Sequence, residues 1–275
     1  MTNHIAFQGA LGAYSHAACQ AARPDMTPLP CDNFEDVIEA VRSGAADLAM
    51  LPVENSTYGR VADIHRLLPE SGLHIIDESF TRVRISLMAL PGVTLDEIKT
   101  ARAHLVLLPQ ARSFLDKHNI RAVSAVDSAG AAAELAGSGD RSSAVLASAL
   151  AADIYDLNIL ARDIEDHQHN TTRFLVMARD ANLAGRGDTM MTTFVFQVRN
   201  IPAALYKAMG GFATNGVNMT KLESYMVGGS FTATQFYADI QGHPGDANVK
   251  MAMDELSYFS SMVKILGVYP ADKSR

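Results

Sequence analysis

Tryptophan is absent from this 275-residue chain, and cysteine occurs only at Cys19 and Cys31. Two thiols, with neither CxxC nor Cys/His zinc spacing, exclude a disulfide framework and a zinc-ribbon fold. Cationic charge is also scarce. The 23 Lys and Arg stand against 30 Asp and Glu, for a formal net charge of −7. Non-specific nucleic-acid binding rests on clustered cations, so no nucleic-acid partner is expected. An anionic ligand would have to find its positive potential in one local site. No stretch approaches 18 uninterrupted apolar residues, so no membrane span is expected. The opening MTNHIAFQGA has no charged stretch leading into an apolar run, so a signal peptide is not expected and the cytoplasm is the expected compartment. Aromatic residues make up only 7%, which leaves the core to Ala, Leu, Val, Ile and Met, with 13 Met as gap fillers.

What is present alternates. Short apolar runs at 5–7, 47–53, 122–126, 144–147 and 172–177 read as strands. Helical patterns from about Tyr14 and over 33–42, 61–68, 109–118, 127–136 and 149–155 separate them. Asp32 or Asn33 is the expected cap of the second helix, and Thr94-Leu-Asp-Glu97 is a capping-box sequence that should open another. The segments 74–76 and 83–90 read as extended. Strand–helix alternation of this kind defines an α/β region over residues 1–180, built as two lobes with the second at roughly 78–160. Open α/β sheets bind ligands beyond the carboxyl ends of their strands, so the polar turns after Phe7 and Val53 should face the crevice between the lobes. Residues 181–190 are polar and Gly-containing, as a linker would be. Beyond them the order becomes strand, helix, strand, strand, helix, strand over 191–275. This is a βαββαβ ferredoxin-like unit with a short hairpin expected at Val227-Gly-Gly-Ser-Phe231.

Three segments concentrate chemistry. Leu51-Pro-Val-Glu-Asn-Ser-Thr-Tyr-Gly59 leaves an apolar strand and presents a carboxylate, a carboxamide and two hydroxyls in a row. A lone Asn-Ser-Thr would be a turn with a helix cap, but Glu54 at the end of an apolar strand is costly to bury unpaired. Asn170-Thr-Thr-Arg-Phe174 places hydroxyls beside an Arg that could grip a carboxylate through two parallel bonds. An isolated Arg there would more often be a structural ion pair. Gly9-Ala-Leu-Gly-Ala-Tyr-Ser15 is a Gly-spaced turn opening a helix, a place where backbone N–H groups suit an anion.

Together, in this order and spacing, these segments resemble the prephenate dehydratase family, whose marks are a GxxGxYS turn, a P-V-E-N-S loop and a T-R-F strand. Val126-Asp-Ser-Ala-Gly-Ala-Ala and Ala144-Val-Leu-Ala-Ser look like the same family. Asn200-Ile-Pro-Ala-Ala-Leu-Tyr206 and Asn218-Met-Thr-Lys-Leu-Glu-Ser224 resemble segments of its ACT regulatory domain. The resemblance implies a periplasmic-binding-protein-like, two-lobed catalytic region with prephenate as substrate, needing no cofactor and no metal. It implies Thr172 as hydrogen-bond donor to the departing hydroxyl and Arg173 on a substrate carboxylate. Glu54 and Asn55 would be catalytic, with Glu54 or an ordered water as the proton's ultimate source. Ser15, Ser56, Thr57, Gln110 and Phe174 would complete the substrate site. Phenylalanine would bind near Ala204, Leu205, Asn218, Glu223 and Ser224, in a homodimer or homotetramer.

Some positions depart from the family pattern. Val83-Arg-Ile-Ser-Leu87 stands for Ile-x-His-x-Leu, Ala103-His104-Leu105-Val106 for Ser-His-Pro-Gln, and Tyr225-Met226 for Arg-Pro. Arogenate dehydratase and a non-catalytic amino-acid sensor are the alternatives. Asp163-Ile-Glu-Asp-His-Gln-His169 has the residues of a metal cluster, but its two His are only two apart, so a solvated loop is expected. The Met at 190, 191, 251, 253 and 262 read as core, and His16 as a helix-surface residue.

Overall fold

A computed structural model describes residues 2–167, 169–183, 185–226 and 233–275. The chain runs through β1 (His4–Gln8), α1 (Tyr14–Ala22), β2 (Thr27–Cys31), α2 (Phe34–Ser43), β3 (Leu48–Asn55), the two-residue β4 (Gly59–Arg60) and α3 (Ala62–Leu67). It continues with β5 (His74–Arg82), β6 (Ser86–Ala89), β7 (Thr100–His104), α4 (Arg112–Lys117), β8 (Arg121–Ala125), α5 (Ser128–Ser138), β9 (Ser143–Ala147) and α6 (Ala149–Tyr155). After β10 (Asn158–Ala161) and β11 (Thr171–Ala178) come β12 (Met190–Val198), α7 (Ala204–Thr214), β13 (Met219–Met226), β14 (Ala233–Gln241), α8 (Ala247–Phe259) and β15 (Ser260–Pro270). The fold is mixed α/β with two sheets. The chain forms two compact units, one of Met1–Val61 with Ser79–Phe174, the other of Ala62–Glu78 with Leu175–Arg275.

In the first unit, β1 lies between β2 and β3 and runs parallel to both, and β4 turns back antiparallel on β3. Ile5, Ala6 and Phe7 are wholly buried, as are all five residues of β9, which is why these strands read as unbroken apolar runs. The second sheet has the order β10-β6-β9-β7-β8, with β7 parallel to β8 and β9 and with β6 antiparallel to β9 and β10. Asn33 is the cap of α2, accepting from Asp36 N at 2.8 Å, and Gly44 ends the helix at φ +85°.

Four strands escape the sequence pattern: β2, the two-residue β4, β7 and β10. β2 carries Pro28 and Pro30, which a sheet tolerates only at an edge, and an edge is where β2 lies. β7 reads Thr-Ala-Arg-Ala-His, with only Ala101 and Ala103 to bury. The Thr94 capping box forms, with Thr94 N donating to Glu97 Oε2 at 2.7 Å, but a single 3-10 turn follows in place of a helix. Extended pairing of Thr100 with Arg121 and Ser143 begins three residues later and leaves no room for more.

The second unit has the sheet order β13-β14-β12-β15, every pair antiparallel, in a βαββαβ succession. Phe194, Phe196, Phe212, Phe236, Val249 and Leu256 fill its core. Residues 62–78 belong to this unit, and Ile75 of β5 pairs in parallel with Gly267. Met190 and Met191 are buried as expected, whereas Met251 is 51% exposed and is not core. The expected hairpin at 227–231 lies outside the described residues. Among the described residues no helix is long and apolar enough to cross a membrane.

Candidate active site

A cavity of about 580 Å3 opens within the first unit. Its wall is made by the turns that follow β1, β8 and β9, by the β3–β4 hairpin, and by Asn170 and Thr172. The first three are strand-to-helix turns, where the α/β rule puts ligands.

The turn after β1 is held by a close approach. Gly12 has φ +88°, and a Cβ placed on it would lie 2.7 Å from Ala151 Cα of α6. Ser148 Oγ donates to Gly12 O at 2.6 Å, and Tyr155 donates to Leu11 O at 2.9 Å. The second glycine of the GxxG turn is therefore required both by its conformation and by the helix packed against it. α1 starts here, capped by Ala13, which supplies no side-chain bond. Its first-turn N–H groups have no intrahelical acceptor, and residues 13–15 line the cavity. α5 also begins at the wall, but Asp127 already accepts from Ala129 N at 3.0 Å and Gly130 N at 2.7 Å. Of these two helix ends, α1 is the one that lacks its own anion.

Opposite lies a chain of amides. Gln110 and Asn170 are buried, and Asn170 Nδ2 donates to Gln110 Oε1. Asn55 Nδ2 donates to Asn170 Oδ1 at 2.7 Å and to Thr172 Oγ1 at 3.0 Å. Asn55 Oδ1 accepts from Thr57 N and Tyr58 N at 2.9 and 3.0 Å, which fixes which end of the amide is the donor. Because the Thr172 oxygen accepts from Asn55, its own proton is left for a group in the cavity.

Several expected site residues lie elsewhere. Arg173 is 2% exposed, bonds Glu54 Oε1 at 2.9 Å, and neither residue is part of the cavity wall. Consecutive residues of a strand face opposite ways, so Thr172 and Arg173 cannot both face the ligand. Direct contact between Arg173 and a substrate carboxylate is thus not what the geometry offers. Phe174 is core. Ser56 is a hairpin clasp, donating to His169 O at 2.8 Å and accepting from Thr171 N at 2.9 Å, and Thr57 is exposed. His16 is buried, not on the helix surface. It stacks on Phe7 at 5.4 Å and accepts from Gly12 N at 2.9 Å, and burial pushes its pKa down. Among the described residues no His, Cys, Asp and Glu group is suited to a metal.

Other wall residues carried no role in the sequence reading: Arg60, His104, Asp127, Ser128 and Ser148. The signal for three of them was in hand, since 127, 128 and 148 fall in family-like stretches at strand-to-helix turns. In the second unit, Ala204 opens α7 and Leu205 packs on the core. Asn218 donates to Gln241 Oε1 at 3.1 Å, and Glu223 pairs with Lys221 at 3.4 Å. Half-buried and exposed residues alternate along β13, so Glu223 and Ser224 face opposite ways.

An α/β fold whose cavity is walled by strand-to-helix turns, a hairpin and a helix N-terminus is the arrangement of a small-ligand-binding protein. The prephenate dehydratase family model matches residues 5–182. The chain belongs to the prephenate dehydratase family. It is 51% identical over 272 residues to a bifunctional N-acyl-homoserine lactone acylase/prephenate dehydratase of Komagataeibacter europaeus, covering 98% of this chain and 97% of that protein. It is 35% identical over 277 residues to arogenate dehydratase/prephenate dehydratase 2, chloroplastic, of Arabidopsis thaliana, covering 98% and 73%. The crystal structure of prephenate dehydratase in complex with L-Phe from Arthrobacter aurescens superposes with a TM-score of 0.90 at 31% identity, covering 99% of this chain and 91% of that one.

Proposed function

We propose that this chain converts prephenate to phenylpyruvate, carbon dioxide and water. The C–C bond to the ring carboxylate breaks and releases carbon dioxide. Its electron pair completes the aromatic ring, and the ring hydroxyl leaves with one added proton as water. The observation that carries this reading is the Thr172 hydroxyl, held as acceptor by Asn55 at 3.0 Å on the wall of a cavity that also holds the N-terminus of α1. Thr172 donates a hydrogen bond to the departing hydroxyl, and the N–H groups of α1 hold a carboxylate. Arg173 and Glu54 act from behind, bracing β11 against β3. An absorbance assay for phenylpyruvate tests the reading. Thr172→Ala should lower turnover by about 10²–10⁴-fold with the fold intact, and near-normal turnover removes Thr172 from the chemistry.

Arogenate is the second substrate to test, because the Arabidopsis relative carries both names. The second unit is read as an ACT domain that binds phenylalanine near Ala204, Leu205, Asn218, Glu223 and Ser224. Its βαββαβ order and the L-Phe named with the Arthrobacter structure support this. Calorimetry with phenylalanine that shows no binding defeats it. A homodimer or homotetramer is proposed because β13 ends the sheet with Leu222 and Met226 exposed; light scattering decides.

A further inference from the structure

A prephenate-like substrate carries two carboxylates, and the N-terminus of α1 answers one of them. Arg173, the residue the sequence offers for the other, is turned onto Glu54. Among the described residues of the cavity wall, Arg60 is the single Lys or Arg. We infer that Arg60 reads the second carboxylate and selects a 2-oxo acid side chain over one that bears an ammonium group. This rests on the dehydratase reading proposed above.

The position of Arg60 is fixed by its backbone. In the β3–β4 hairpin, Arg60 pairs with Glu54 and Gly59 with Asn55, the residue that orients Thr172. Val61 N donates to Val53 O at 3.0 Å and locks the strand on the far side. Gly59 makes the bend at φ +79°. The guanidinium therefore springs from a constrained two-residue strand beside the reacting end of the cavity. Arg60 is exposed, so its guanidinium is within reach of a ligand entering from solvent.

Selection follows from what else lines the wall. Among the described wall residues Asp127 is the one carboxylate, and each of its oxygens already accepts a backbone N–H of α5. An ammonium group would meet a guanidinium and no uncommitted acid. A keto acid carboxylate meets a planar fork suited to it. With an overall charge of −7, this local cation matters more to a dianion than the surface does.

The test uses the full chain with prephenate and arogenate measured separately. Arg60→Met should raise KM for prephenate about tenfold while kcat stays within about twofold, the signature of lost binding shared by ground and transition states. The prephenate-to-arogenate ratio of kcat/KM should fall about tenfold. Arg60→Lys should recover part of the loss, and the rise of KM with added salt should flatten in Arg60→Met. Unchanged KM in Arg60→Met beside an active wild type overturns the inference. Equal losses on both substrates overturn the selection. A wild type that turns over neither substrate brings down the dehydratase reading itself, and the inference with it.

Discussion

At the scale of single residues, the site works through direction. Asn55 Nδ2 gives its two protons to Asn170 and Thr172, while Asn55 Oδ1 is occupied by two backbone N–H groups. Asn55→Asp keeps the shape but turns a donor into an acceptor, which would draw the Thr172 proton away from the cavity. Turnover should drop about 10²-fold, the scale of one misdirected catalytic hydrogen bond, with circular dichroism unchanged; normal turnover would show that this orientation is irrelevant. His16 makes a separate prediction. Burial lowers its folded pKa, so the unfolded chain takes up a proton first as pH falls. The stability it contributes is complete above the ordinary histidine range and declines as pH drops through about 6.5 toward the folded value. His16→Asn keeps an acceptor for Gly12 N without a titrating group, so its stability should fall less between pH 7 and 5 in urea melts. Parallel pH curves for the two proteins would contradict this. Asn55, Thr172, Ser15 and Gln110, all expected at the site, line the cavity, because each lies at the start or end of a strand or in the turn and helix that follow one. Arg173, expected on a substrate carboxylate, bonds Glu54 away from the cavity wall, since a residue type suited to an anion does not say which face of the strand bears it.

At the scale of elements, what was legible was what repeats. Helices α1, α2, α5 and α6 begin within a residue or two of where capping and periodicity put them, and α6 spans Ala149–Tyr155 as read. β2 and β7 were missed for opposite reasons. Two prolines disguise β2, and its edge position makes them harmless. β7 buries only alanines, so its alternation carries little hydrophobic signal. The Gly9-to-Ser15 turn was legible as a motif, but the reason for its second glycine was not, since Ala151 lies 139 residues away in sequence (151 minus 12). Gly12→Ala meets both a positive φ and a Cβ only 2.7 Å from Ala151 Cα. It should cost more than about 2 kcal/mol and should reduce activity as well, because the same turn carries the N–H groups of α1. Pairing it with Ala151→Gly should recover part of the stability but not the backbone strain. Full stability in the single variant would mean the close approach is not real.

At the scale of the whole molecule, the two units are interleaved along the chain. Residues 62–78 leave the first unit's sequence and fold with 175–275. Their anchors there are specific. Glu78, with a fully buried side chain, takes two bonds from Arg275, at 2.7 and 3.0 Å. Lys264 Nζ donates to Pro69 O at 2.6 Å, and the ring of His65 meets Tyr237 at 4.8 Å. Asp239, equally buried, lies 3.6 Å from Arg275 and accepts from Thr193 Oγ1 at 2.6 Å. Such an arrangement means that a linear reading of catalytic region, linker and regulatory region does not name pieces that can be separated freely. A fragment ending at residue 180 would keep Glu78 and lose the arginine that neutralises it. A buried charge deprived of its partner costs about 3–5 kcal/mol, and in a chain of this size that is a loss of roughly 10 °C in Tm. Arg275→Met in the full chain should show much of the same loss while leaving in place the Lys264 and Tyr237 anchors of residues 62–78. If both the fragment and the Arg275 variant melt where the intact chain does, residues 62–78 are held by the first unit after all.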